Sequence, residues 1–299
     1  MMKVLVSGGT GFIGSHLIKS LIEKKYTVFV IVRKDSDVSR INEQVNIFRY
    51  DENIETLITF FKKEKFDGVI HLASLFLASH TSNDISSLIS SNVKFSTELL
   101  EASSSSNVKW FLNTGTFWQN YHCEAYNPVN LYAATKEAFE VISKFYTETT
   151  SIIFTTIKLN DTFGPNDTRN KVFNLWNKIA KTGETLGMSG GEQMVDISYI
   201  KDIVNAYLVM VDNLNAVDSK IYKNKTYLVS NNDKMTLKEL SKVFEAVSDC
   251  TLNINWGERD YRDREVMLPY SKGENVPNWK QEYILKDAIK ETIKDIQND

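Results

Sequence analysis

The chain has 299 residues, 42% of them hydrophobic and 24% charged, with 35 basic against 38 acidic side chains and a formal net charge of −3. That near balance gives no electrostatic reason to expect nucleic acid as a partner, and no apolar run approaches the roughly 20 residues needed to cross a membrane. Two cysteines, Cys123 and Cys250, imply no disulfide framework, and the N-terminus lacks a secretory leader's apolar core, so a reducing cytoplasm is the expected home.

In chain order, short apolar runs alternate with longer amphipathic ones. Val4-Leu5-Val6 predicts a first strand, the glycines from Gly8 to Gly14 a tight turn, and residues 12–24 a helix. Strands are predicted at 28–32, 45–48 and 68–72. A long helix follows over about 84–103, ended by the serine tract before Asn107. A strand at 110–113, a helix opening near Leu131 and a strand at 152–157 complete the first half. This alternation predicts an α/β fold of Rossmann type, a doubly wound parallel sheet with helices on both faces. After about Leu159 the rhythm loosens, with helices predicted at 172–181, 200–212, 237–246 and 285–297 between polar loops. The expected division is a dinucleotide-binding domain over 1–159 and a smaller α/β substrate-binding region over 160–299, interleaved with it.

Gly8, Gly11 and Gly14 lie three apart between the first strand and the first helix. A strand must turn sharply there, and a side chain would hold the backbone away from a diphosphate. The helix start then offers unpaired N–H groups and a positive dipole end. A glycine-rich turn alone is common, but this one sits where a dinucleotide site needs it. Gly8, Thr10, Gly11, Phe12, Ile13 and Gly14 are therefore candidate cofactor contacts. The second strand ends Arg33-Lys34-Asp35. An acidic residue at this strand's end would hold a ribose 2′-hydroxyl, whereas a guanidinium pairs with a 2′-phosphate. Arg33 therefore points to NADP(H), with Asp35 the residue that would serve NAD instead. Asp51, closing the third strand, is a candidate for the adenine amino group.

Tyr132-Ala133-Ala134-Thr135-Lys136 places a phenol and an ammonium on one helix face. A nearby ammonium is expected to bring the phenol's pKa toward neutrality, so that it can exchange a proton with a substrate oxygen while hydride moves on a nicotinamide. Thr114, at the end of the strand before this helix, offers a hydroxyl for a substrate carbonyl, and Thr116 competes for that role. Thr114, Tyr132 and Lys136 are the candidate catalytic residues. The histidines, His16, His71, His80 and His122, show no metal-ligand spacing, so no metal site is expected.

Glycine loop, strand-end hydroxyl and Tyr-x-x-x-Lys, in that order, resemble the extended short-chain dehydrogenases of the nucleotide-sugar epimerase/dehydratase group. The resemblance covers nearly the whole chain. His71-Leu72-Ala73-Ser74 is similar to the segment that lines the cofactor, which implies contacts at Leu72, Ala73 and Ser74. Asn92, Phe163-Gly164-Pro165, the segment from Asp196 to Asp202 and the segment from Arg262 to Met267 also resemble family motifs. The resemblance implies further cofactor contacts at Tyr132 and Lys136, substrate contacts at Asn160 and Arg262, a nucleotide-diphospho-sugar substrate, and a homodimer formed through the helices near 84–103 and 131–147. Three features depart from it. Val195 stands where the family often has arginine, Trp118-Gln119 replaces a usual Tyr-Gly, and the short loop after Trp118 holds His122, Cys123 and Glu124.

Family dehydratases carry an acid/base pair directly after the strand-end threonine, and this chain has Gly115-Thr116 there, which speaks against dehydration. An epimerase retains and recycles NAD, whereas a reductase consumes NADPH, so Arg33 favours reduction. Within the family the closest likeness is to the branch that reduces the C4 ketone of CDP-linked 3,6-dideoxy-4-hexuloses. The alternatives are a nucleotide-sugar 4-epimerase and a non-catalytic NADP-sensing regulator; the Tyr132–Lys136 pair weighs against the regulator.

Overall fold

The computed structural model describes residues 2–39 and 41–297. The first half contains β1 (Lys3–Ser7), α1 (Phe12–Glu23), β2 (Thr27–Arg33), β3 (Asn46–Tyr50), α2 (Ile54–Glu64), β4 (Gly68–His71), α3 (Ile85–Ile89), α4 (Phe95–Ser105), β5 (Trp110–Thr116), α5 (Leu131–Thr149) and β6 (Ile153–Leu159). The second half adds β7 (Asp161–Phe163), α6 (Val172–Thr182), β8 (Leu186–Met188), β9 (Met194–Val195), β10 (Ile197–Tyr199), α7 (Ile200–Asn215), β11 (Lys225–Val229), β12 (Met235–Thr236), α8 (Leu237–Ser248), β13 (Ile254–Trp256) and α9 (Leu285–Gln297).

Seven strands form one parallel sheet in the order β11-β6-β5-β4-β1-β2-β3. Side chains alternate along each strand. Val4, Val6, Val28, Val30, Ile70 and Leu112 face one buried cluster, which takes in α1 and α7. Leu5, Phe29, Ile31, Val69 and Phe111 face the other, which takes in α2, α4 and α5. Apolar residues on both sides are what a parallel sheet covered by helices requires. Strand order reverses between β1 and β4, so the crevice at their carboxyl ends is where such a sheet binds ligands.

Besides the short strands β7 to β10, β12 and β13, two larger elements, α2 and β11, fall outside the sequence expectations. In α2, Leu57 and Phe61 supply the buried i,i+4 pair, and Asn53 caps the start by accepting the Glu55 amide at 2.9 Å. β11 comes from the second half yet completes the sheet, pairing Tyr227 with Ile157 and Val229 with Leu159. Its run is short and its first two residues are exposed, so the alternation that marks β1 and β2 is weak there. The long helix expected over 84–103 is α3 and α4 joined by a π-helical turn, Ser90–Lys94. Such turns concentrate at functional sites, and this one carries Asn92.

Candidate active site

β1 passes the chain to α1 through the glycine loop, where the Gly11 amide donates to the Gly8 carbonyl at 3.0 Å. Gly8 has φ +73°, and a Cβ there would stand 2.7 Å from the Ala73 nitrogen; at Gly14 a Cβ would stand 2.2 Å from the Gly8 oxygen. Only glycine lets the loop lie this close to the end of β4 and to α1. No side chain caps α1 at Gly11, so the first-turn amides, those of Phe12, Ile13 and Gly14 among them, have no acceptor within the helix. Open amides on a glycine cradle fit a dinucleotide diphosphate. Thr10 is exposed beside them.

Leu72-Ala73-Ser74 lies against this loop. The Leu72 amide donates to the Ser7 carbonyl and the Ala73 amide to Ser7 Oγ, each at 3.2 Å. Ser7 Oγ also meets His71 Nδ1 at 2.7 Å, and His71 Nε2 meets Ser96 Oγ at 2.8 Å. Burial first, and the Lys136 charge second, hold His71 well below the usual imidazole range. It is therefore a neutral bolt between β1, β4 and α4. Arg33, the last residue of β2, and Lys34 and Asp35 after it are all exposed, and Arg49 pins the loop by donating to the carbonyls of Lys34 at 2.7 Å and Ser36 at 3.1 Å. Asp51 is used locally, accepting from the Asn53 amide at 3.1 Å and Thr56 Oγ1 at 3.3 Å.

Tyr132 and Lys136 lie one turn apart in α5, which is capped by Asn130 accepting from the Ala133 amide at 2.9 Å. The Ser74 and Thr116 hydroxyls face the Tyr132 hydroxyl closely enough to lower its pKa. Asn92 holds this arrangement together. Its Oδ1 accepts from Ser74 Oγ at 3.2 Å and the Leu75 amide at 2.8 Å, while its Nδ2 donates to Thr135 Oγ1 at 3.0 Å. Thr114 points elsewhere: its Oγ1 lies 2.7 Å from the Tyr207 hydroxyl on α7. So Ser74 and Thr116 are gathered at Tyr132, one helical turn from Lys136, with Thr114 two residues before Thr116 on the same strand end.

Burial decides the ionisation of the pair. It pushes the Tyr132 phenol up to about 12, against the lowering effect of the Ser74 and Thr116 hydroxyls. It brings Lys136, only 2% exposed, down to about 8, opposed by the Glu140 carboxylate. The expectation that the lysine draws the phenol toward neutrality is thereby corrected for the protein itself: burial raises the phenol, and the lowering comes from Ser74 and Thr116 and not from Lys136. Tyr132 is a protonated acid at neutral pH. Behind the pair, Gln119 Nε2 donates to Glu137 at 2.6 Å and Glu140 at 2.9 Å, while its Oε1 accepts from the Thr116 amide at 2.8 Å. The Trp118-Gln119 departure thus ties the loop after β5 to α5.

Beside these groups opens a cavity of about 460 Å³, lined among others by Phe76, Trp118, Lys171, Arg259 and Arg262. The Phe76 ring meets Tyr132 edge-on at 5.0 Å and Trp118 at 5.5 Å, and so joins the cavity to the phenol. Arg262 lies 5.6 Å over the Trp118 ring and Lys171 4.9 Å over Phe76. Val195 lines the wall without a charge, so the cations of the lining are Lys171, Arg259 and Arg262, set among carboxylates that include Asp161, which pairs with Lys171 at 3.0 Å, and Glu265, 3.9 Å from Arg262. Asn160 is not part of the lining; it donates to Asp196 at 3.0 Å, and its Oδ1 is buried without a hydrogen-bond partner among the described residues. His122 and Cys123 are consecutive left-handed residues, at φ 55° and 57°, in a turn whose Cys123 Sγ sits 4.0 Å from the cavity-lining Pro269 carbonyl.

Phe76, Lys171, Arg259 and Tyr207 escape sequence reasoning. Phe76 and Lys171 are single residues on loops. Tyr207 sits on a helix far from Thr114 in sequence and carries no local motif.

Comparison with known proteins agrees with this architecture. Residues 4–224 match the family described as NAD dependent epimerase/dehydratase. The CDP-abequose synthase of Yersinia pseudotuberculosis is 30% identical over 296 residues, covering 98% of each chain. That of Salmonella typhimurium is 27% identical, covering 97% of each. Among solved structures, UDP-glucose 4-epimerase from Thermotoga maritima superposes with a TM-score of 0.86 at 22% identity, covering 99% of both chains. With its glycine cradle, its buried Tyr-x-x-x-Lys pair and this match over most of its length, the chain belongs to the NAD dependent epimerase/dehydratase family.

Proposed function

We propose that the chain is an NADPH-dependent reductase of the C4 ketone of a nucleotide-linked 4-keto-6-deoxy or 3,6-dideoxy hexose, with CDP the nucleotide carrier. The observation that carries this reading is the buried, protonated Tyr132 one helical turn from Lys136, set between the glycine cradle and a cavity of sugar-nucleotide size whose lining includes Lys171, Arg259 and Arg262. Full-length likeness to proteins named CDP-abequose synthase supports the CDP-linked class. In this reading, Gly8 to Gly14 and Leu72-Ala73-Ser74 hold the cofactor, Arg33 takes its 2′-phosphate, and Asp51 lies beside its adenine. A bound NADPH would supply hydride to C4. Tyr132 then gives its proton to the oxygen that becomes the alcohol, Lys136 stabilises the phenolate left behind and holds the nicotinamide ribose, and Thr114 orients the ketone. Arg262, Arg259 and Lys171 meet the diphosphate, with residues 160–299 forming the substrate side; Asn160 acts there through Asp196. The decisive experiment is NADPH oxidation with a panel of CDP-, dTDP-, GDP- and UDP-linked 4-keto sugars, with the product alcohol assigned by NMR. Absence of turnover on all of them sinks the reading.

Replacing Arg33 tests the cofactor. A charge-assisted contact to phosphate is worth about 2–3 kcal/mol, so Arg33→Ala is expected to raise the KM for NADPH by about 30- to 150-fold and leave that for NADH nearly unchanged. An unaltered NADPH/NADH ratio removes Arg33 from the 2′-phosphate site.

A second reading, a nucleotide-sugar 4-epimerase, is favoured by the fold likeness to UDP-glucose 4-epimerase. It requires tightly held NAD, so the absorbance spectrum of the purified protein separates the two.

We also propose a homodimer. Ile85 and Ile89 on α3, and Val141 and Phe145 on α5, are i,i+4 pairs of large apolar side chains on the surface, Val141 67% and Phe145 64% exposed. Apolar side chains presented in pairs on neighbouring helices suit a partner copy. The double variant Val141→Glu, Phe145→Glu is expected to elute as a monomer in light-scattering chromatography, and an unchanged mass for it, or a monomeric parent, removes the dimer from this face.

A further inference from the structure

Tyr207 lies on α7 with none of its surface exposed, and its hydroxyl has one hydrogen-bond partner among the described residues, Thr114 Oγ1 at 2.7 Å. A buried phenol must place its proton or incur a desolvation cost. Thr114 Oγ has one proton to give and lone pairs to accept with. If Thr114 donated to Tyr207, the phenol's own proton would have no hydrogen-bond acceptor among the described residues. With Tyr207 donating, the Tyr207 proton is used and the Thr114 proton is left to turn away from α7. Burial, and the nearby Tyr132, keep the Tyr207 phenol protonated far above neutral pH, with Thr114 opposing, so it remains a donor. Thr114 itself is only partly buried, at the carboxyl end of β5, where this fold receives its ligands.

We propose that Tyr207 is a positioning residue: by donating to Thr114 it directs the Thr114 hydroxyl into the cleft as a hydrogen-bond donor to the substrate carbonyl. The fold without Tyr207 would leave that hydroxyl free to rotate between donor and acceptor orientations. The consequence for turnover rests on the ketoreductase reading above; the direction of the hydrogen bond does not.

Two measurements on the full-length protein test it. In turnover, Tyr207→Phe is expected to lower kcat about 10-fold with the KM for NADPH unchanged, and to have less than about a twofold effect when added to Thr114→Val, because the two residues act through one hydroxyl. In thermal melting without substrate, Thr114→Val strands a buried donor and is expected to lower Tm by about 2–6 °C. Tyr207→Phe costs less, since Thr114 can then turn to solvent, and adding it to Thr114→Val recovers part of the loss. Wild-type turnover in Tyr207→Phe while Tyr132→Phe is inactive overturns the positioning role and leaves the reductase reading standing. Should the parent enzyme turn over none of the sugars, the reductase reading fails, and melting still decides the bond: a larger Tm loss in Tyr207→Phe than in Thr114→Val overturns it.

Discussion

Tyr132→Phe is expected to lower kcat by about 10²- to 10⁴-fold, the range a positioned acid contributes, while NADPH still binds within about threefold of the parent affinity. Both halves follow from the geometry. The hydroxyl is the group that meets Ser74 and Thr116, and burial keeps it protonated, with a pKa pushed up to about 12. Reduction needs a proton at the nascent alkoxide, and a neutral phenol carries one at every physiological pH. The glycine cradle, by contrast, is built from backbone: the Gly8 turn, the uncapped start of α1 and the Ala73 amide do not involve the phenol. Its ring contact with Phe76 survives in the variant. Rapid-mixing turnover and NADPH fluorescence titration check the two halves separately. A variant that reduces substrate near the parent rate removes Tyr132 as the acid, and one that loses NADPH binding in parallel shows a structural effect instead.

How much of this was legible in the sequence follows from what each feature depends on. The glycine loop and the Tyr132–Lys136 pair are local: turn sterics fix the first and the helical repeat fixes the second, so a few adjacent residues suffice. The strands β1, β2 and β4 are buried on both faces and read as continuous apolar runs. β11 is different, because its place beside β6 is a tertiary choice made across more than sixty residues. The division of labour between two threonines is likewise illegible. Thr114 and Thr116 are chemically alike and two apart, and only the helices packed over them send one hydroxyl to Tyr207 and the other to Tyr132. The pKa expectation failed for a related reason. Proximity of Tyr132 and Lys136 can be read from i,i+4 spacing, but desolvation depends on what the rest of the chain packs around them.

Lys136→Met is expected to act in opposite directions on stability and activity. Lys136 is buried, forms no salt bridge among the described residues, and has its pKa brought down to about 8 by desolvation. A folded-state value below the unfolded one means that charging this lysine works against folding. The cost is fully present below pH 8, where the ammonium exists in both states, and it is relieved as pH rises from about 8 toward the ordinary lysine value of 10.5. At 1.36 kcal/mol for each pKa unit the cost is about 3 kcal/mol. Methionine keeps most of the volume without the charge, so the variant should melt several degrees higher at pH 7, with the gain shrinking toward pH 10. Turnover should fall by about 10²-fold or more, because the phenolate left after proton transfer then has no neighbouring cation. The same titration sets the alkaline limb of kcat/KM. Tyr132 stays protonated well past pH 9, so loss of activity above about pH 8 in the parent belongs to Lys136, and that limb should vanish from the residual activity of Lys136→Met. A variant that melts lower than the parent at pH 7 shows instead that the buried ammonium is held by favourable interactions. A limb that persists at pH 8 assigns the titration to another group. The two outcomes together decide whether the fold tolerates an unfavourable buried charge for the sake of the reaction it serves.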